Sequence, residues 1–560
     1  MKYILRSLIF VHRWVGIVLC LVFLLWFPSG IGMMYWTFPD VSASDRLEHS
    51  AKLDAAKVVL SPAEAAEKLG MQPNPTQIRL NSFDGRPVYR IGAGGRGGGG
   101  GRIIYADTGE EQTEVSTEML DRIASSWAGQ PLAEVKKESV EEPDQWTVAG
   151  QLRNLRPMYK YSWPDGQQVY LNGSTGEVVQ YTTFGSRVAA HVSAIPHWFY
   201  YTPLRKNQPQ WITFMIWSCI IGTVSAIVGM IVAIWMYSPK LRYRLDGKPT
   251  GIPYRGQKRW HWIFGMVFGV ATVTWTFSGL LSLGPFPLVQ RLTGTSPRGQ
   301  QQQLQPQTAP EPTQQASADT QRGDSATGSV PRVEGPAAGE ARGATRGGTP
   351  GDSQRRALRG SGVAGGRGEQ AARTQGTGSG RGSGQQGIAG ALRGRVRMAD
   401  FASVHPRDLL ARVPDLDVRE LEFTSFASTP LFSANLGDGK SQLLSLEGTP
   451  VNSFEHHRII DIVKSAVPDP KAIEIKQVDQ YDLYYLDRTR QRPLPVLLVL
   501  MNDADKTRHY IDPKSARVVT TYSSRNWVNR WLYNGLHSLN FPFLYNNRPL
   551  WDIVVIAFMV

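Results

Sequence analysis

The chain has 560 residues, a formal net charge of +14 and a mean hydropathy of −0.26, so it holds several domains and keeps most of its mass out of any bilayer. Its two cysteines, Cys20 and Cys219, exclude a disulfide framework and a four-thiolate iron–sulfur cluster, and both read as small buried side chains in apolar runs. Half of the excess charge lies in residues 293–397, with 14 Arg and 7 acids in a Gly, Gln, Ser and Pro background, which reads as a disordered tether rather than a nucleic-acid surface.

In chain order, the first apolar run is Ile4–Trp36. It is too long for a signal-peptide core, and no small-residue cleavage site follows it, so it reads as a retained span. Trp211–Tyr237 and Trp260–Leu283 are also long enough to cross a bilayer. The run from Trp551 to Val560 is ten residues and reads as the start of a fourth span, apparently truncated. The expected organisation is a span over 1–37, an outer lobe over 38–210, a span over 211–237 and a loop over 238–259. A span over 260–286, a second lobe over 287–550 and the start of a span over 551–560 follow. Lys240, Arg242, Arg244, Lys248, Arg255, Lys258 and Arg259 face a single acid, Asp246, in the loop. The basic bias places that loop and the N-terminus in the cytoplasm, and both lobes outside the inner membrane.

Each lobe has an α+β pattern. In the first, Ser61–Leu69 and Thr117–Trp127 read as helices. Strands are expected at 76–81, 87–91, 102–106, 158–163, 168–172 and 177–181. In the second, 406–412 and 454–466 read as helices, and strands are expected at 421–426, 431–436, 441–445, 495–501, 508–511 and 517–521. The glycine run 92–101 reads as a hairpin loop, since no helix follows it as a phosphate-binding loop requires.

The sequence also repeats itself. His12, Gly16, Trp26, Ser29 and Gly30 recur as His261, Gly265, Trp275, Ser278 and Gly279, at an offset of 249. His197, Pro209 and Trp211 recur as His537, Pro549 and Trp551, at an offset of 340. On a helix of 3.6 residues per turn, the residues 4, 14 and 18 after each histidine lie within about 40° of it, forming one stripe. A glycine one turn from an imidazole leaves room for a flat macrocycle. His12 and His261 are therefore candidate axial ligands of an inner haem. His197 and His537 are candidates for an outer haem beside Gly30 and Gly279. The competing readings are a glycine helix-packing seam at the inner pair and an aromatic belt at the outer pair. His191 competes with His197, but its counterpart at the 340 offset is Trp531. His49, His405, His456, His457 and His509 read as solvated surface residues.

The His12-Arg-Trp-x-Gly opening, the Trp-x2-Ser-Gly motif and the strand–turn pattern of Tyr170–Val179 resemble the PepSY-associated transmembrane proteins, over nearly the whole chain except the insert. The resemblance implies a membrane helical bundle with extracytoplasmic α+β PepSY-like lobes and an internal two-fold repeat. It also implies b-type haem, two by the site count, with membrane redox chemistry linked to iron uptake. The function expected is electron transfer across the membrane, from quinol or a separate reductase to a ferric siderophore or another periplasmic acceptor, in contact with lipid and without nucleic acid. The alternative is a non-enzymatic, membrane-anchored sensor or binding module. A permease is a further rival, disfavoured by the few charges in the spans.

Overall fold

The computed structural model describes residues 2–72, 75–92, 101–153, 155–283, 383–467, 469–487, 490–524 and 529–560. The helices are α1 (Lys2–Met33), α2 (Ala43–Glu48), α3 (Pro62–Lys68), α4 (Thr117–Ala128), α5 (Phe184–Val192), α6 (Ala194–Trp198) and α7 (Thr202–Arg205). They continue as α8 (Gln208–Met236), α9 (Gly256–Ser282), α10 (Ser383–Arg393), α11 (Pro406–Arg412), α12 (His456–Ser465), α13 (Pro542–Tyr545) and α14 (Arg548–Met559). A π-helix spans Asn529–His537.

Among the described residues, three helices, α1, α8 and α9, are long and apolar enough to cross a membrane. They pack as α1 on α8 and α8 on α9, and α14 lies against α1. A hairpin joins α8 to α9, with strands at Tyr243–Leu245 and Lys248–Thr250. The lobes lie at the opposite ends of these helices. Cys219 is buried as expected, but Cys20 is exposed on α1, because only one face of that helix meets another.

The lobes are built from locally specified pieces. Ser61 and Glu64 form a capping box at α3, with Pro62 at the first helical position, where its missing N–H is no loss. Ser116 caps α4, which ends at Gly129 with φ +63°, the left-handed conformation glycine adopts without strain. Strands β1 (Ile78–Phe83), β2 (Arg86–Ile91) and β3 (Arg102–Tyr105) pair antiparallel. Strands β4 (Lys136–Ser139), β5 (Met158–Ser162), β6 (Gln168–Asn172) and β7 (Val178–Thr182) form a four-stranded sheet in that order. With the α8–α9 hairpin taken as β8 and β9, the second lobe contributes β10 (Val418–Phe426), β11 (Thr429–Leu436), β12 (Ser441–Leu444) and β13 (Pro450–Val451). Its other sheet is β14 (Ile473–Val478), β15 (Val496–Met501), β16 (Arg508–Asp512) and β17 (Arg517–Tyr522), again in sequence order.

The lobes are not separate. Strand β1 pairs antiparallel with β10, Leu80 opposite Leu421, and joins the two halves in one seven-stranded sheet ordered β13-β12-β11-β10-β1-β2-β3. Leu80, Tyr89 and Ile104 from the first half share a core with Leu421, Phe423 and Phe432 from the second. Arg79 and Glu422, partners across that junction, also approach to 3.6 Å.

The expected disordered stretch 293–397 needs correction at its C-terminal end. Helix α10 lies inside it, and Ile388 and Leu392, one turn apart, are buried against Ile459 and Val463 of α12. Two apolar residues at helical spacing suffice to dock a glycine-rich helix on a partner. Residues 293–382 of that stretch lie outside the described residues, as do 93–100 of the glycine run and 284–286 of the expected third span.

Candidate functional site

Two histidine pairs lie at opposite ends of the helical bundle. His12 on α1 and His261 on α9 form the pair at the hairpin end, with ring centroids 6.2 Å apart and planes at 36°. His197 on α6 and His537 at the end of the π-helix form the pair at the lobe end, with centroids 6.4 Å apart and planes at 70°. Each pair takes one histidine from each half. The spacing in the sequence thus brings together all four candidate ligands, in the pairs expected.

Three of the four imidazoles are oriented through Nδ1. His12 Nδ1 lies 3.0 Å from the Ser225 carbonyl on α8. His197 Nδ1 lies 3.1 Å from the Trp26 carbonyl and 3.3 Å from Ser29 Oγ. His537 Nδ1 lies 3.0 Å from Ser278 Oγ and also bonds the Trp275 backbone. A carbonyl accepts only, so Nδ1 carries a proton, and in the neutral ring Nε2 keeps its lone pair. Burial pushes the pKa of both His197 and His537 down to about 4, so both are neutral at pH 7.

The glycines divide by pair. At Gly16 and Gly265 an added Cβ would meet no atom of the described residues within 4 Å. The helix-packing reading requires the opposite, a neighbouring backbone against each glycine. Gly30 and Gly279 are tighter: a Cβ would lie 3.0 Å from Met559 Cε and 3.5 Å from His197 Cε1 at the first, and 3.8 Å from His537 Cε1 at the second. Both border a cavity of about 540 Å³, together with Trp26, Trp275, His197 and His537. That volume lies within the usual range for ligand pockets, about 300–1,000 Å³.

The site has features the spacing did not reveal. At Gly229 on α8 a Cβ would fall 2.5 Å from His12 Cε1, so the His12 ring is seated directly on that glycine. Tyr533 stacks on His537, with centroids 5.1 Å apart and planes at 16°. Trp211 Nε1 donates to the Trp198 carbonyl and Trp551 Nε1 to the Ser538 carbonyl, each acceptor being the residue after a paired histidine. The two tryptophans recur in the sequence at the same offset as those histidines, which was the available signal for that contact. Gly229 had none, because α8 carries no histidine to mark a register.

His191 is not part of either pair. It is exposed, its Nδ1 bonds the Arg187 carbonyl, and its ring meets Trp146 edge-on. His509 is not solvated as expected: it is 0 % exposed on β16, its Nδ1 lies 3.0 Å from Thr521 Oγ1, and burial pushes its pKa down to about 4. His49 stacks on Trp127 at 4.2 Å.

Residues 10–416 match the family described as the PepSY-associated TM region. The chain belongs to the PepSY-associated transmembrane family. As a member it is a membrane protein, in keeping with its three long apolar helices and α+β lobes. The match takes in His12, His197 and His261 and stops before His537, short of the near-complete coverage expected. No curated protein and no solved structure matches the chain.

Proposed function

We propose that this PepSY-associated protein is a haem-dependent electron-transfer protein of the inner membrane, with its N-terminus in the cytoplasm and its lobes in the periplasm. It holds two b-type haems, one between His12 and His261 and one between His197 and His537. The observation that carries the reading is the ring spacing. A metal–imidazole bond is about 2.0–2.1 Å and the nitrogen sits about 1.1 Å from its ring centre, so two imidazoles opposed on one iron have centroids about 6.2–6.4 Å apart. The two pairs stand at 6.2 and 6.4 Å. The angle between ring planes is free in such an arrangement, so 36° and 70° are both compatible with it.

The donor set fits as well. Neutral imidazole is a common axial ligand of haem iron, and a carbonyl on Nδ1 fixes the tautomer and raises the basicity of Nε2. Haem, when bound, supplies a one-electron ferric–ferrous couple. The chain's own residues orient the imidazoles, exclude water from the lobe-end cavity with Trp26 and Trp275, and leave a free face at Gly16 and Gly265. The matching sheets and the two parallel sets of contacts support an internal two-fold repeat, in which each half supplies one imidazole to each site. We place the electron donor as quinol or a separate reductase, and the acceptor as a ferric siderophore or another periplasmic oxidant.

The test is absorbance of the purified protein before and after dithionite. Two b-type haems per chain are expected. His12→Ala or His261→Ala should remove one, and His197→Ala or His537→Ala the other. Colourless wild-type protein would overturn the proposal in favour of a sensor or binding module whose histidines only pack.

A further inference from the structure

The lobe-end cavity is lined by a buried positive charge that has no ion-pair partner among the described residues. Arg530, on the π-helix, is 2 % exposed and lines the cavity with His197 and His537. Its Nε donates to the Leu483 carbonyl at 2.7 Å and its Nη2 to the Asn540 carbonyl at 2.8 Å. Both acceptors are neutral main-chain groups that fix the guanidinium plane. Its Nη1 is buried with no hydrogen-bond partner among the described residues, and so is the indole Nε1 of Trp26 on the same cavity wall.

The neighbouring carboxylates, Asp482 with a through-space attraction to Arg530 and Asp487 on the cavity wall, hydrogen-bond to other groups. Arg548 pairs with Asp552 at 3.0 Å. The carboxylate of Asp487 accepts the backbone N–H groups of Gln491 and Arg492. Asp482 accepts the Tyr510 hydroxyl and the backbone N–H groups of Tyr484 and Tyr485. A buried guanidinium without an ion-pair partner is costly, and one that borders a cavity, as Arg530 does and the equally buried Arg205 does not, can be matched by an anionic ligand. An oxyanion is the matching partner, because guanidinium N–H groups bind carboxylate more strongly than any neutral acceptor.

We infer that Arg530 anchors a carboxylate of the planar group held between His197 and His537, through Nη1. The inference rests on the haem reading, since the porphyrin of b-type haem carries two carboxylate-ended side chains. It makes Arg530 a binding residue of the lobe-end site and makes that site selective for an anionic porphyrin over an uncharged one of the same shape.

The test uses the full-length chain carrying His12→Ala, which leaves only the lobe-end site, produced without haem and titrated in detergent. The two probes are ferric haem and its dimethyl ester, which presents the same ring and iron without carboxylates. The chain with Arg530 should bind haem about tenfold or more tightly than the ester, the usual scale of a charged hydrogen bond. In Arg530→Gln the preference should fall close to unity, with affinity for the ester kept. Arg530→Lys, which keeps the charge without the planar fork, should retain part of it. Equal binding of the two porphyrins by the Arg530 chain, or an unchanged preference in Arg530→Gln, would overturn the inference and leave the haem proposal standing. If Arg530→Gln fails to fold, the preference of the Arg530 chain and its reduction in Arg530→Lys decide the matter. If the Arg530 chain binds neither porphyrin, the proposed function itself fails.

Discussion

Replacing Gly265 by alanine or leucine distinguishes a haem face from a helix seam. In a seam, glycine is required because another element lies against it. Gly32 shows that case: a Cβ there would lie 2.9 Å from the Val192 carbonyl oxygen. At Gly265 no atom of the described residues lies within 4 Å of the added carbon. Gly265→Ala therefore introduces no clash in the protein alone, and it removes the penalty of a helix-interior glycine, roughly 0.5–1 kcal/mol relative to alanine. The haem-free protein should be as stable as wild type or slightly more so. A macrocycle against this face, one turn from His261, would be pushed off by about the 1.5 Å length of the new bond, while metal–ligand distances tolerate only about 0.2 Å. Gly265→Ala should lose most of one haem equivalent, and Gly265→Leu all of it. The assay is haem per chain by pyridine haemochrome, with thermal denaturation of the haem-free protein alongside. Gly16→Leu should behave in the same way. Two haems retained in both leucine variants would refute the reasoning.

Gly229→Ala should act on the same site from the far side, because its methyl would stand 2.5 Å from His12 Cε1, about 1 Å inside normal contact. One haem should be lost and the lobe-end haem kept; two haems in this variant would show that His12 is not held as described. Lys248→Cys, on the exposed hairpin between α8 and α9, should resist an impermeant thiol reagent in intact cells and react after lysis; labelling of intact cells would reverse the topology. His509, with a folded pKa of about 4 against 6.5, binds its proton more readily when unfolded. Its stabilisation is therefore complete above about pH 6.5 and declines towards pH 4, by up to about 3 kcal/mol. His509→Gln should flatten that acid-side fall in melting temperature, and an unchanged slope would exclude His509 as its source.

What the sequence disclosed follows from how local each signal is. Helix α3 was legible because Ser61, Pro62 and Glu64 specify its start within four residues. The histidine pairs were legible because both helices of a pair carry the same spacing, so each confirms the register of the other. Pairing of β1 with β10 was not legible, because Arg79 and Glu422 are partners across more than 300 residues and nothing local names one as the other's neighbour. Strand β4 escaped because Lys136-Lys137-Glu138-Ser139 has no apolar alternation; as an edge strand it is held by backbone pairing to β5. His509 looked solvated from its charged neighbours, yet on a pleated strand it lies between Arg508 and Tyr510 and the sheet buries it. Arg530 had no counterpart to flag it: the residue at the repeat offset is Ala190.

That last asymmetry bears on how the two halves divide the work. Each histidine pair draws one member from each half, and the seven-stranded sheet likewise joins β1 of one half to β10 of the other. A half on its own would present one imidazole per site and an unpaired strand edge at β1 or β10. Within that shared frame the halves need not be identical. The contacts that orient the lobe-end imidazoles are doubled: Ser29 and Trp26 serve His197, and Ser278 and Trp275 serve His537. Around the lobe-end cavity, the buried guanidinium of Arg530 and the ring stacked on His537 come from the second half, while the first half's buried guanidinium, Arg205, stacks on Tyr200 and Trp211. A flat disc between two symmetric imidazoles has no preferred rotation about their axis. If the pair holds a porphyrin as proposed, one charge placed on one side would supply that preference, and Arg530 lies on one side only.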